Sequence, residues 1–527
     1  VIVFIEPVNK KIDTYTSAPP LAILELASWV KDRLGVEVRV VDVPVDYGFP
    51  VTSEGKEIVF SKLIEDLKVW SPMAVGISCT GVVLMENTRD MLRRIRQEFP
   101  DLFLFAGGYM PTLHYRELLY DWPVDLIVVG EGEEACTQIV QCLMAGEDPR
   151  KKSNVNLAWR EGDKIVETKR APFFDLNIKP YIDLSLLRHP EAYSLLSYIS
   201  SRGCSYKCSY CVEEYIRPHR RLLKPDYVRE EIRRLKEISG KNTLFLFDPL
   251  FGGTDREVFE FSSIFRELGL KFIFETRSDV LKASYVPMLK ENGAIGFALG
   301  FESASFDTLR RMNKVKNKHH YDYYINNTRK LFLEATKNDL PIFLSMMMGY
   351  PGDTEEDLEI TRKFIWELNE EAKALGNPGG YIFLTYDVRI PPNTKFYDQV
   401  KAMPPEEGVT FEDEGIYGYN QIVSASPGLH RDQIRKYAQE IFSYSKYTKT
   451  CKETLFKMAP FMRIPPQGVA RLRELDDWYF YPGTNRQVFN IQEIIRRYSN
   501  FKTLVNKIHE ESRAQFIYDS KDRQLYT

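Results

Sequence analysis

The chain has 527 residues with 71 basic and 74 acidic side chains, and a net charge of −3 gives no electrostatic footprint for a nucleic-acid partner. No run approaches the roughly 18 apolar residues of a membrane span, and 44% apolar residues in a chain this long predict several globular domains. Seven cysteines, three of them packed into eight residues, suit thiols acting as ligands in a reducing, cytoplasmic compartment better than a disulfide framework.

The N-terminus, Val1–Ile5, reads as a buried strand and not as a signal segment. Further short apolar runs follow at Val36–Val43, Ala74–Ser78, Leu102–Ala106 and Asp125–Val129, alternating with helical patterns at Leu21–Leu34, Thr88–Glu98 and Arg116–Tyr120. Continuous apolar strands separated by helices predict parallel βα units, hence a Rossmann-like doubly wound α/β domain over residues 1–145. Ligands of such sheets sit at the strand C-terminal ends. Those ends read Ser78-Cys79-Thr80-Gly81, Gly107-Gly108-Tyr109 and Gly130-Glu131-Gly132-Glu133, where small residues let backbone approach a large ligand. Asn154–Trp159 and Lys164–Thr168 read as a hairpin, and Ala171–Asp183 as a linker, so residues 146–190 are set apart as hairpin and linker.

A second series of strands is predicted at Tyr193–Ser200, Thr243–Phe247, Phe272–Glu275, Ala294–Gly300, Ile342–Met348 and Ile382–Asp387. Six such units over residues 191–400 suit a partial (β/α)6 barrel, which works at its strand C-terminal face. Residues 401–527 read as a mainly helical region, with helices at Arg431–Tyr444 and Gln492–Glu511. They could form a substrate lid or pack the barrel edge, and the aromatic run Asp476–Tyr481 reads more readily as a packing patch than as a substrate wall.

Cys204, Cys208 and Cys211, spaced C-x3-C-x2-C, fall just after the first strand of the second series. Three thiolates on one loop can hold three irons of a four-iron cluster and leave the fourth iron open. The competing reading is a zinc site completed by His219. The spacing, with Tyr210 before the last cysteine, resembles the radical S-adenosylmethionine (SAM) superfamily. The strand ends that follow are similar to that family's in order. Asp248 closes the second strand, Glu275 and Arg277 the third, Glu302 within Gly300-Phe301-Glu302-Ser303-Ala304 the fourth, and Met347 and Pro351 flank the Gly349-Tyr350-Pro351-Gly352-Asp353-Thr354 turn after the fifth. The resemblance implies that Tyr210, Asp248, Glu275, Arg277, Glu302, Met347 and Pro351 bind SAM. Pro391–Tyr397 is similar to the segment after the sixth strand. The chain departs from the family in having Asp353 for a glutamate and Gly252-Gly253-Thr254 where Gly-Gly-Glu is usual. Arg217, Arg220 and Arg221 are read as a solvated basic face.

Ser17–Ala27, Gly107–Thr112 and Gly130–Glu134 look like the cobalamin-binding domain that precedes the barrel in one branch of the family. The resemblance implies cobalamin contacts from Pro20, Leu21, Ser78, Cys79, Thr80, Gly81, Gly107, Gly108, Tyr109, Glu131, Gly132 and Glu133. No Asp-x-His-x-x-Gly supplies a cobalt ligand, and the domain's single histidine is His114. Cys79 is read as a buried apolar residue before a cobalt neighbour. Cys136 and Cys142 fall in a helical pattern and do not supply the second cluster of a methylthiotransferase.

The resemblance therefore implies a 4Fe-4S cluster, SAM and cobalamin, an external electron donor of flavodoxin or ferredoxin type, and a small-molecule or peptide substrate. It implies a methyltransferase acting on an unactivated carbon or a phosphinate phosphorus through a 5′-deoxyadenosyl radical and a methyl-carrying cobalamin. The alternatives are a cyclase or rearranging enzyme with the same cofactors, and a zinc-bearing binding protein.

Overall fold

A computed structural model describes residues 1–7, 18–48, 53–193, 195–376, 379–418, 420–446, 448, 451 and 454. They fall into two compact units, one comprising Val1–Ser194, Glu230–Gly240 and Gly415–Gly418, the other the remaining described residues.

The first unit is built on a seven-stranded sheet. Ile2–Glu6 lies between Val38–Asp42 and Ala74–Ser78, followed by Phe103–Gly107 and Leu126–Val128, all parallel. Ile2–Glu6 and Ala74–Ser78 are buried along their whole length, which is why they read as unbroken apolar runs instead of alternating ones. Strand order reverses between the first and third strands, and the crevice at such a switch point is where doubly wound sheets bind ligands. Ser78 ends one of the two strands that flank it.

The helix Leu21–Leu34 has the predicted bounds, whereas Val82–Glu98 and Tyr109–Asp121 start earlier than their apolar periodicity suggested. Ser53–Trp70 is a helix that the sequence reading passed over. The hairpin Leu157–Glu161 and Lys164–Glu167 does not stand apart from the first sheet. It extends that sheet, because Ala158 pairs with Ile127 in an antiparallel register. The linker behind it is anchored inside the same unit by Lys179, whose ammonium lies 2.8 Å from Glu231 and 3.2 Å from Glu25, all three side chains being at most 6% exposed.

The second unit contains six parallel strands in sequential order: Leu196–Tyr198, Thr243–Leu246, Lys271–Arg277, Ala294–Glu302, Ile342–Met348 and Tyr381–Asp387. This is the open barrel expected from the six apolar runs. One side of each strand faces the surrounding helices: Phe272 packs on Phe265 of the helix Asp255–Glu267, and Phe301 on Phe364 of Glu355–Ala374. The period of two then places Phe247, Glu275 and Arg277, with Gly296, Ala298 and Gly300, on the opposite, concave side. The glycines there are needed for close packing, since a Cβ at Gly296 would lie 2.9 Å from Thr454 and one at Gly300 3.2 Å from Glu302 Oε1. The sixth strand's open edge is capped by Lys446, which exchanges two 2.9 Å backbone hydrogen bonds with Tyr381.

Beyond the barrel, Thr410–Phe411, Ile422–Ser426 and Leu429–His430 form a small antiparallel sheet, followed by the helix Arg431–Ser443. The helix predicted at 492–511 and the aromatic run 476–481 lie outside the described residues.

Candidate functional site

The cysteine loop leaves the first barrel strand through Gly203, whose φ of +80° and crowded surroundings tolerate no other residue. A Cβ there would lie 2.2 Å from the His219 carbonyl oxygen. The loop is then tied down along its length. Cys211 N–H donates to Cys208 O at 3.0 Å, Ser209 N–H to Met312 O at 3.1 Å, and Asn313 Nδ2 to Lys207 O at 2.6 Å. Ser209 Oγ lies 2.7 Å from the Tyr350 hydroxyl, which fixes the loop to the turn after the fifth strand. That turn is held by Asp353, which accepts from Tyr350 N–H at 2.8 Å and from Thr308 and Arg311 at 2.6 Å each. Pro351 is buried in it, and Tyr350 stacks on Phe396 of the segment after the sixth strand.

Among the described residues no three His, Cys, Asp or Glu side chains converge closely enough to hold a single metal ion, so the trio and His219 do not make the zinc site considered above. A cluster takes each thiolate at a different iron and requires no such convergence. Burial holds the Cys204 thiol above its ordinary range and pushes Cys211 up to about 12, so ligation has to displace their protons.

The predicted SAM residues take up distinct positions around this loop. Tyr210 donates its hydroxyl to Glu302 Oε1 at 3.0 Å, and Lys314 sits 3.0 Å from the same oxygen while donating to Gly300 O at 2.9 Å. Burial disfavours the Lys314 charge, but Glu302 together with Tyr324 and Cys208 outweighs this and holds its pKa above the usual lysine range. Glu302 has a φ of +69°, a left-handed conformation that costs a non-glycine residue about 1–3 kcal/mol and persists where surroundings enforce it. Glu275 reaches solvent on the concave face. The protein around it raises its pKa by desolvation, and its carboxylate has no protein partner among the described residues. Met347 is half-buried in register with Tyr386. Three buried polar atoms without a hydrogen-bond partner remain toward the ends of the third and sixth strands: Ser278 Oγ, Thr385 Oγ1 and Asp387 Oδ2. Orphaned polar atoms beside an acidic concave face fit a polar ligand such as SAM.

Two residues serve a different end from the one the sequence suggested. Asp248 is 2% exposed and clamps the chain entering the cysteine loop, accepting Ser200 N–H at 2.6 Å, Ser201 N–H at 3.0 Å and the Ser200 hydroxyl. Arg277 directs its guanidinium at the cysteine loop. Nε and Nη2 pair with Asp279 at 2.5 and 3.2 Å, Nη2 also meets Lys314 O, and Nη1 donates to Cys208 Sγ at 3.2 Å. Arg217 and Arg220 are not on a solvated face, as the basic run suggested. Arg217 pairs with Glu213 at 2.9 Å, and Arg220 with buried Glu257 at 2.6 Å. Lys314 and Tyr324 were passed over because each lies in a stretch that reads as ordinary helix or loop.

Burial pushes Asp248 up to about 7 from an ordinary value of 3.8. Below pH 3.8 the group is protonated in both states and contributes nothing. Between there and pH 7 the unfolded chain ionises first, so stability falls as pH rises, and it levels off above. At about 1.4 kcal/mol per unit the full loss is roughly 4 kcal/mol. Asp248→Asn keeps an acceptor for both amides and is expected to flatten that part of the stability–pH curve in denaturant unfolding. An unchanged slope would refute the assignment.

In the first unit, Pro20 and Leu21 begin the helix Leu21–Leu34, and Glu133 begins Glu133–Met144. Gly108 has a φ of +100°, and a Cβ there would lie 2.8 Å from Cys79 O, so the loops after the third and fourth strands touch through backbone. Gly107 and Tyr109 flank it, both half-buried. Nothing would meet a Cβ at Gly130, and only Val83 at Gly81, which leaves a cradle open at the strand ends with exposed Thr80 beside it. Glu131 and Gly132 are half-buried there, and Ser78 is 8% exposed. Such a rim fits a large planar ligand. Cys79 is fully buried with Sγ 3.7 Å from Gly81 O, and burial pushes its thiol up to about 12. His114 is 2% exposed inside its helix, and burial lowers its pKa to about 4.

Residues 198–365 match the model of the radical SAM superfamily, and residues 12–140 that of the B12 binding domain. The chain belongs to the cobalamin-dependent radical SAM enzymes. A radical SAM domain implies a 4Fe-4S cluster and SAM, and a B12 binding domain implies cobalamin. This radical SAM chain shares its fold with the methyltransferase TsrM from Kitasatospora setae, at a TM-score of 0.67 and 16% identity over 90% of this chain and 99% of that one. It also shares it with the cobalamin-dependent radical enzyme OxsB, at 0.66 and 14% over 100% and 82%. It is 26% identical to the anaerobic magnesium-protoporphyrin IX monomethyl ester cyclase of Synechocystis sp. over 56% of this chain, and spans 59% of that cyclase's length. It is 23% identical to an uncharacterized methyltransferase of Pyrococcus horikoshii over 67% of this chain and 74% of the other.

Proposed function

We propose that the chain is a radical SAM methyltransferase that places a methyl group on an unactivated carbon or a phosphinate phosphorus of a small-molecule or peptide substrate. The observation that carries this reading is the cysteine trio at the strand C-terminal edge of the barrel, its loop pinned by Tyr210, Ser209 and Asn313 so that three thiols share one anchored turn. The fold shared with a radical SAM methyltransferase over nine-tenths of the chain supports the methyl-transferring branch.

When bound, the cluster and SAM would supply a carbon-centred radical and cobalamin would carry the methyl group. The chain's own residues do the positioning. Cys204, Cys208 and Cys211 would hold the irons. Tyr210 and Glu302, locked by Lys314, define the wall beside the loop, while Glu275, Met347 and Pro351 line the approach to SAM. Arg277 and Asp248 orient the loop itself. Pro20, Leu21, Ser78–Gly81, Gly107–Tyr109 and Glu131–Glu133 would cradle cobalamin through backbone and small side chains. A flavodoxin- or ferredoxin-type donor in the cytoplasm would deliver the electron, and nucleic acid is not expected as a substrate.

The second reading is a cyclase, and it rests on the relatives of that name in Synechocystis, Cereibacter sphaeroides and Rubrivivax gelatinosus, of whose length the chain spans 59, 57 and 63%. No helix among the described residues is long and apolar enough to cross a membrane. Anaerobically reconstituted protein given methyl-labelled SAM, cobalamin and reductant is expected to form 5′-deoxyadenosine and to pass label into the cobalamin fraction. Deoxyadenosine with all of the label recovered in methionine and uncleaved SAM, and none in cobalamin or product, would sink the methyltransferase reading and leave the cyclase.

A further inference from the structure

Arg277, which orients the cysteine loop, also brings a charge to it that positioning alone does not use. Arg277 is 5% exposed and closes the third barrel strand, with Nη1 3.2 Å from Cys208 Sγ. Its position is over-determined. Asp279 grips Nε and Nη2, Lys314 O takes the second Nη2 hydrogen, Tyr206 lies 4.1 Å from the guanidinium carbon and Tyr324 5.8 Å. His320 Nε2 lies 2.8 Å from Asp279 Oδ2, the oxygen that also accepts from Arg277 Nη2. Two buried cations, Arg277 and Lys314, thus stand near one ligand sulfur, and Lys314 is already neutralised by Glu302. A guanidinium fixed this firmly at a sulfur is not spare packing. Among the described residues it is the charged group donating a hydrogen bond to a cysteine of the trio.

We propose that Arg277 sets the reduction potential of the cluster, with Asp279 acting through it as the counter-charge. The inference rests on the trio carrying the cluster. Reduction of a 4Fe-4S core takes one electron from an external donor and adds one negative charge, spread over iron, sulfide and thiolate. A hydrogen bond from a cation to a ligand sulfur stabilises the reduced form more than the oxidised one, so it raises the potential. In a dry setting that effect is large, because little solvent screens it. Asp279 tempers the effect by neutralising part of the guanidinium charge. The pair therefore makes two predictions of opposite sign, which a purely structural role for either residue would not produce.

The test is a redox titration of the full chain, reconstituted with iron and sulfide under anaerobic conditions and examined without SAM or substrate. The reduced cluster is followed by electron paramagnetic resonance as dithionite supplies electrons. Arg277→Gln is expected to lower the ratio of reduced to oxidised cluster at a fixed poise about tenfold, which is 59 mV for a one-electron couple. Asp279→Asn is expected to move the ratio the other way, and Arg277→Lys to fall between wild type and Arg277→Gln. If Arg277→Gln does not load iron, Asp279→Asn and Arg277→Lys still decide. Coincident potentials in loaded wild type and variants, or shifts of the same sign at both positions, would overturn the proposal. A wild-type chain that takes up no iron would instead overturn the reading on which it rests.

Discussion

Cys208→Ala is expected to abolish the cluster and bring SAM cleavage to background. Cys208 is the deepest of the three thiols, 9% exposed, and its sulfur faces Arg277. Alanine would leave two ligands for a cluster that needs three from the protein, and would leave the Arg277 guanidinium without its sulfur acceptor, a desolvated donor costing about 1–3 kcal/mol. The fold should survive. The loop is held mainly by side-chain hydrogen bonds of Ser209, Tyr210 and Asn313, which go to Arg311 O, Tyr350, Glu302 and Lys207 O and not to Cys208. Iron and sulfide content per chain, with deoxyadenosine formed from SAM under strong reductant, measure the effect. Cleavage retained at more than a few per cent of wild type would remove the trio from the centre of the chemistry. Cys451→Ala is the matched control. This buried thiol packs against Phe343, Ile382 and Leu384, so its loss is expected to cost packing and leave iron content unchanged.

The fold was legible in the sequence where burial is uniform. Ile2–Glu6 and Ala74–Ser78 are covered on both faces, and nothing polar interrupts them. The barrel strands were legible for the same reason, and their order followed because each is joined to the next by a helix. What could not be read were pairings fixed by distant chain. Nothing near Ala158 says that its partner is Ile127, so the hairpin was assigned to a separate segment. The site divides in the same way. The cysteine spacing, the Gly-x-Pro-Gly turn and Glu302 are local signals. The partner of Arg277 is not, because Cys208 and Lys314 reach it from 69 positions before and 37 after. Asp248 looked like a ligand because a carboxylate at a strand end has two uses. Only the approach of the Ser200 and Ser201 amides shows that here it holds the entry to the cysteine loop.

Lys179→Met is expected to be the most damaging single change outside the cofactor sites. The ammonium lies 2.8 and 3.0 Å from the two oxygens of Glu231 and 3.2 Å from Glu25, and Ile182 N–H donates to Glu231 at 3.0 Å. Removing the cation leaves two buried carboxylates facing one another. Breaking such a buried set by deleting one partner costs about 3–5 kcal/mol, because the remaining charge has lost both water and counter-ion. For a unit of this size that is on the order of a 10 °C drop in its unfolding midpoint. Combining Lys179→Met with Glu25→Gln and Glu231→Gln is expected to recover most of the loss, since neutral side chains of similar shape can share hydrogen bonds without the charge. Thermal unfolding of wild type, the single variant and the triple variant separates a buried charge triad from simple packing. No recovery in the triple variant would show that Lys179 contributes through its methylene stem alone.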